Sequence, residues 1–146
     1  MEKFKVLFLC VHNSARSQMA EAFLNQFAGD IFKAESAGLE PGILNPLVVE
    51  VMQEIGIDIS AQYPKNVNQF LARSFDYVIT VCDHANETCP VFSGVVKNRE
   101  HLGFSDPTKY EGDSAEVLQE FRRVRDEIKE QFSKFYNTKL VPVRGL

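Results

Sequence analysis

Phe4-Lys5-Val6-Leu7-Phe8-Leu9 runs into Cys10-Val11-His12-Asn13-Ser14-Ala15-Arg16-Ser17, and this stretch decides the fold. The first six residues form a short apolar run bounded by a turn-like segment, which reads as a buried strand. Small and polar residues follow, and Ser17 to Phe27 then sets Met19, Ala20, Phe23, Leu24 and Phe27 at helical spacing. Outward from this strand-loop-helix unit, Gly29-Asp30 stops the helix and Ile31 to Ala37 reads as a second strand ended by Gly38. Asn45-Pro46 is a helix start, continued by Leu47 to Ile55 as far as Gly56. A short helix is expected at Val67 to Leu71. Phe75 to Val81 is the clearest β segment, rich in β-branched and aromatic residues. A polar loop is expected from Cys82 to about Asn98, and a short fourth strand near Arg99 to Phe104. Asp106-Pro107 marks a turn. Asp113 or Ser114 caps a long amphipathic helix through about Phe135, with Val117, Leu118, Phe121, Val124, Ile128 and Phe132 on one face. Residues 137–146 read as irregular.

Strands alternating with helices imply an α/β fold, a parallel sheet with helices on both faces. Right-handed crossovers leave a small doubly wound, four-stranded sheet of order 2-1-3-4. Its ligand crevice lies beyond the carboxyl ends of strands 1 and 3, where the winding reverses. Cys10 and Cys82 both sit at those ends. With 146 residues and no repeat or linker, one domain over 1–146 is expected.

A 45% hydrophobic content supports a core without a metal or disulfide staple. The net charge of -4, from 16 basic and 20 acidic residues, disfavours nucleic acid as partner. Oxyanion binding in such a chain needs a local site. No run approaches the roughly 20 apolar residues of a membrane span, and no export signal precedes the first strand. The chain is expected in the cytoplasm, as a monomer. In that reducing compartment an odd set of three cysteines is packing or chemistry, not a permanent disulfide framework.

Five residues separate Cys10 from Arg16. That length lets the backbone N–H groups of Val11, His12, Asn13, Ser14 and Ala15 wrap one tetrahedral oxyanion at a helix N-terminus. Arg16 offers a two-pronged fork to the oxyanion. The same field is expected to lower the Cys10 pKa. Ser17 is placed to hydrogen-bond the thiolate, and Asn13 to hold the loop's shape. The competing reading makes Cys10 a core residue and Arg16 a solvated charge; the coincidence of strand, loop, helix start and Ser17 weighs against it. Without glycines or a Gly-Lys-Ser/Thr ending, the loop is not a nucleotide P-loop.

Adjacent strands lie about 4.8 Å apart, and disulfide Cα atoms span roughly 4.4–6.8 Å. Cysteines just past the ends of strands 1 and 3 therefore come within or near bonding reach. Cys89, in a polar loop, offers a third thiol that can attack Cys82 and carry a disulfide to the surface. Two other readings stand beside this one. Cys82 and Cys89 are packing thiols, or they bind zinc with His84 and His12; six intervening residues is not a usual structural-zinc spacing. No metal and no bound cofactor are expected. His101 reads as an ordinary polar residue at a strand end.

The loop and Asp106-Pro107 resemble the low-molecular-weight protein tyrosine phosphatases over nearly the whole chain. That resemblance implies Cys10 as nucleophile and Asp106 as general acid. The chain is more similar still to the thioredoxin-coupled arsenate reductases of the same fold. The matching stretches are Ser14 to Ala22 (SARSQMAEA), Gly56 to Ser60 (GIDIS), Thr80 to Pro90 (TVCDHANETCP) and His101 to Pro107 (HLGFSDP). The resemblance implies arsenate as substrate and phosphate as competing anion. It further implies a relay through Cys10, Cys82 and Cys89, with thioredoxin as reductant. Some such reductases share a potassium site beside the loop. Three of its ligands match Asn13, Glu21 and Ser36, but Lys65 stands where the fourth, an aspartate, is expected. Either an ammonium near Glu21 takes the ion's place, or Lys65 simply points to solvent, as lysines in loops commonly do.

Overall fold

The computed structural model describes residues 3–137. Residues 138–146, within the stretch expected to be irregular, lie outside the described residues. Four parallel strands form one sheet in the order β2-β1-β3-β4, the expected topology. The strands are β1 (Phe4–Cys10), β2 (Phe32–Gly38), β3 (Phe75–Thr80) and β4 (Val96–His101). The helices are α1 (Arg16–Ala28), α2 (Pro46–Gln53), α3 (Asp83–Glu87) and α4 (Ser114–Phe135). Val67–Gln69 and Pro107–Lys109 form short 3-10 turns.

Val6 to Cys10 are all buried, so successive side chains are covered on both faces of the sheet, as in a central parallel strand. The core gathers Phe8, Phe23, Phe32, Met19 and Ile79 around it, with Phe121, Val124, Ile128 and Phe132 from the buried stripe of α4. Helix starts follow their local chemistry. Asn45 Oδ1 accepts from the Leu47 amide ahead of Pro46 at α2. Asp113 and Glu116 form a reciprocal capping box at α4. Past α2 the chain turns at Gly56, whose φ of +81° suits glycine.

Two expectations are corrected. The fourth strand is Val96–His101, not Arg99 to Phe104. As an edge strand it is chosen by backbone pairing with β3, and its side chains are largely exposed. Phe104, which made the later segment look strand-like, instead packs on Phe132 with ring centroids 5.9 Å apart. The expected loop from Cys82 opens with the five-residue helix α3. Its one fully buried described side chain is Ala85, too little to leave a periodic signal.

Candidate active site

Cys10 ends β1 and Cys82 lies just past the end of β3, where Leu9 pairs with Thr80 and the Val81 amide donates to the Leu9 carbonyl at 2.9 Å. Both thiols are buried at 4% exposure. They are neighbours, close enough that each is the largest influence on the other's titration.

The loop between them and α1 is shaped by where its carbonyls go. Those of Cys10, Val11, His12 and Ser14 accept from the amides of Leu39, Glu40, Gly42 and Asn45, at 3.2, 2.8, 2.9 and 3.0 Å. The Asn13 carbonyl accepts from Gln18 Nε2 at 2.9 Å. Segment 39–45 thus straps the outside of the loop. Among the described residues, the amides of His12 to Ala15 donate to no backbone carbonyl, which leaves them free to face inward. Helix α1 begins at Arg16 without a side-chain cap, so its positive end is also open to an anion.

Asn13 is the hinge of the loop. Its φ is +53°, the only positive φ on a non-glycine among the described residues. Fully buried, its Nδ2 donates to Ser17 Oγ at 2.7 Å and Ser36 Oγ at 2.9 Å, while its Oδ1 accepts from the Lys65 amide at 2.9 Å. Gly38 makes room for this turn: a Cβ there would stand 2.7 Å from the Val11 carbonyl oxygen and 3.0 Å from Asn13 Cβ. The His12 ring faces the strap, with Nδ1 2.9 Å from the Glu40 carbonyl oxygen.

Arg16 donates to the Phe104 carbonyl at 3.1 Å and lies 3.4 Å from Asp106 Oδ2. Asp106 also accepts from the Thr108 amide at 2.9 Å and hydroxyl at 2.6 Å. Burial pushes the Asp106 carboxyl up, but the Thr108 hydrogen bonds with the charges of Arg16 and Lys109 outweigh it and hold its pKa below the usual range. Cys10, Arg16, Asp106 and Thr108 line a cavity of about 20 Å³, which adjoins a wider cleft of about 590 Å³ sharing His12, Arg16 and Asp106.

The expected lowering at Cys10 is not found. Hydrogen bonding with Cys82 and burial push the Cys10 thiol up, against the pull of Arg16. Cys82 moves the other way, down to about 6, chiefly because it receives the Cys10 hydrogen bond. The two sulfurs act as one acid: its first proton leaves readily and its second with difficulty.

Cys89 lies beyond the far end of α3, half-buried, with Arg99 Nη1 3.5 Å from its sulfur. Cys82 and Cys89 are thus seven positions apart, one on each side of the five-residue helix α3. Beside the loop, Ser36 donates to Glu21 at 2.8 Å and Lys65 Nζ stands 3.8 Å from the same oxygen. Burial raises the Glu21 pKa, and Ser36 and Lys65 oppose the rise. Sequence reading missed the strap 39–45, the need for Gly38, and the Arg99–Cys89 contact. Of these only Gly38, at the end of an apolar segment, left any mark.

A model of the low molecular weight phosphotyrosine protein phosphatase matches residues 5–141. The chain belongs to this family. Among curated relatives, an arsenate reductase of Halalkalibacterium halodurans is 45% identical over 138 residues, 94% of this chain and 99% of the relative. A solved arsenate reductase in the phosphate binding state is 35% identical, covering 90% of this chain and 95% of that one, with a TM-score of 0.75. A thioredoxin-dependent arsenate reductase from Corynebacterium glutamicum is 31% identical, with a TM-score of 0.61, over 94% of this chain and 64% of that one.

Proposed function

We propose that this chain is an arsenate reductase working through a three-cysteine relay and re-reduced by thioredoxin. The observation that carries the reading is the placing of Cys10 and a second buried thiol, Cys82, at the ends of the paired strands β1 and β3, with a third, Cys89, at the other end of α3. A phosphatase needs one thiol; a two-electron reduction needs two that can reach each other.

Arsenate sits in the loop, held by the inward amides of Val11, His12, Asn13, Ser14 and Ala15, with Ser17 at the thiolate. Arg16 leaves Asp106 and the Phe104 carbonyl to fork two arsenate oxygens. Before attack the pair's proton must move off Cys10 and onto Cys82 or solvent, and Arg16 with the loop amides offsets the charge that a Cys10 thiolate adds beside the anion. Cys10 thiolate attacks arsenic; water leaves, with Asp106 assisting once it has taken a proton. Cys82 thiolate then attacks the Cys10 sulfur. The sulfur–sulfur bond forms, the sulfur–arsenic bond breaks, and its electron pair stays on arsenic, which leaves as arsenite. Cys89 thiolate attacks Cys82, Cys10 departs as thiolate, and the Cys82–Cys89 disulfide passes to thioredoxin, the reductant of the similar Corynebacterium protein. We place the enzyme in the cytoplasm, as a single-domain monomer. No described helix is long and apolar enough to cross a membrane.

The second reading is a phosphatase, favoured by the Arg16–Asp106 pair at the loop. Turnover of arsenate with thioredoxin, its reductase and NADPH, beside turnover of an aryl phosphate, separates the two. Cys10→Ser should abolish both activities. Cys82→Ser and Cys89→Ser should abolish multiple-turnover reduction and leave phosphate-ester hydrolysis largely intact. Equal loss of hydrolysis in all three variants would make Cys82 and Cys89 structural.

A further inference from the structure

We propose that His101 is a positioning residue for the Cys89 step: it clamps the first turn of α3 in the reduced protein and sets how readily the segment between Cys82 and Cys89 opens. The proposal rests on the relay reading above.

His101 ends β4, in register with Thr80 at the end of β3. Both of its ring nitrogens are engaged. Nδ1 lies 2.8 Å from Thr80 Oγ1, and Nε2 lies 3.0 Å from Asp83 Oδ1. A carboxylate only accepts, so Nε2–H donates to Asp83, and a neutral ring then accepts the Thr80 hydroxyl proton at Nδ1. One imidazole therefore ties the rigid end of two paired strands to the first residue of α3. The backbone behind it is held too, because the Leu102 amide donates to the Thr80 carbonyl at 2.9 Å. Gly103 keeps the contact uncrowded: a Cβ there would come 3.1 Å from His101 Nε2 and 3.2 Å from Asp83 Oδ1.

Asp83 itself is 87% exposed in its side chain, so burial does not hold it in place. At the other end of α3 the Thr88 amide and hydroxyl both bond the His84 carbonyl and move with the helix, and among the described residues the tie to the sheet there is the long Arg99–Cys89 contact at 3.5 Å, which involves the reacting sulfur itself. Among the described residues, the links from α3 itself to the sheet are the packing of Ala85 and the His101 clamp. A Cys82–Cys89 disulfide needs Cα atoms within roughly 7 Å, and the helical segment 83–87 stands between the two cysteines in the reduced protein. Oxidation must unwind α3, and unwinding breaks the clamp. The clamp therefore stabilises the dithiol and not the disulfide.

The test uses the full-length chain carrying Cys10→Ser, which leaves one pair of thiols. The probe is a dithiothreitol redox buffer, with the disulfide fraction read by mass. His101→Ala and Asp83→Ala should each shift the equilibrium about fivefold toward the disulfide, ~20 mV for a two-electron couple. The double variant should shift it no further than either single one. In the reduced parent protein, amides 83–87 should exchange more slowly than in both variants. An unchanged potential, or additive effects of the two substitutions, would overturn the clamp while leaving the relay standing. Failure of Cys82 and Cys89 to form a disulfide at all would overturn both.

Discussion

Replacing Asn13 with alanine tests the account of the loop most directly. The substitution removes two donors and one acceptor from a fully buried position. Ser17 and Ser36 hydroxyls can rotate to other partners, Ser36 already donating to Glu21. The Lys65 amide cannot, and a buried orphan N–H costs about 1–3 kcal/mol. Alanine must also adopt a φ near +53°, which adds about 1–2 kcal/mol. The expected loss is about 3–4 kcal/mol, or roughly 10 °C in Tm for a chain of this size. Asn13→Gly forfeits the same hydrogen bonds without the backbone strain. It should be the more stable of the two by about 1 kcal/mol, reversing the usual order of alanine and glycine. Urea unfolding of the three proteins gives these differences, and phosphate titration should show weaker binding in both variants. An alanine variant as stable as the glycine one, or a loss under ~1 kcal/mol, would refute the role assigned to Asn13.

Four further outcomes follow from the same geometry. Thiolate absorbance should show one thiol ionising near pH 6 through Cys82, and Cys10→Ala should move that step upward by removing its hydrogen-bond donor; because the folded value is depressed, its contribution to stability is present above the unfolded thiol pKa and lost as pH falls toward 6. Lys65→Met should raise the Glu21 pKa further, so the variant's deficit in a urea melt grows as pH rises and shrinks in acid, a folded carboxyl above its unfolded value losing stability on ionisation. In the same series, exchanging sodium for potassium should leave the parent's Tm and turnover unchanged, and Lys65→Asp should create a potassium response. Asp106→Asn should tighten phosphate binding, measured by calorimetry, since it removes the carboxylate that pairs with Arg16 at 3.4 Å, and should slow aryl phosphate hydrolysis.

Much of this protein is local, and what is local was legible. The strand-loop-helix from Phe4 to Phe27, the β segment at Phe75 and the apolar stripe of α4 each declare themselves through periodicity within one element. With handedness rules those elements yield the 2-1-3-4 order, and the order alone brings Cys10 and Cys82 to neighbouring strand ends. Lys65 beside Glu21 was reached through the family resemblance, since 44 positions separate the two residues.

Tertiary structure decided what depends on partners distant in the chain. The extent of β4 follows backbone pairing with β3, which a polar edge strand does not advertise in its side chains. Helix α3 is too short for periodicity and rests on Ala85 and its neighbours. The direction of the thiol pKa shifts could not be read from either cysteine's own loop, because each sulfur's largest influence is the other one. Segment 39–45 claims most of the loop carbonyls, a pairing between residues about thirty positions apart that the loop's own sequence does not announce. Sequence determines which groups must be satisfied; only the folded chain determines which of them are already taken, and so which remain for an oxyanion.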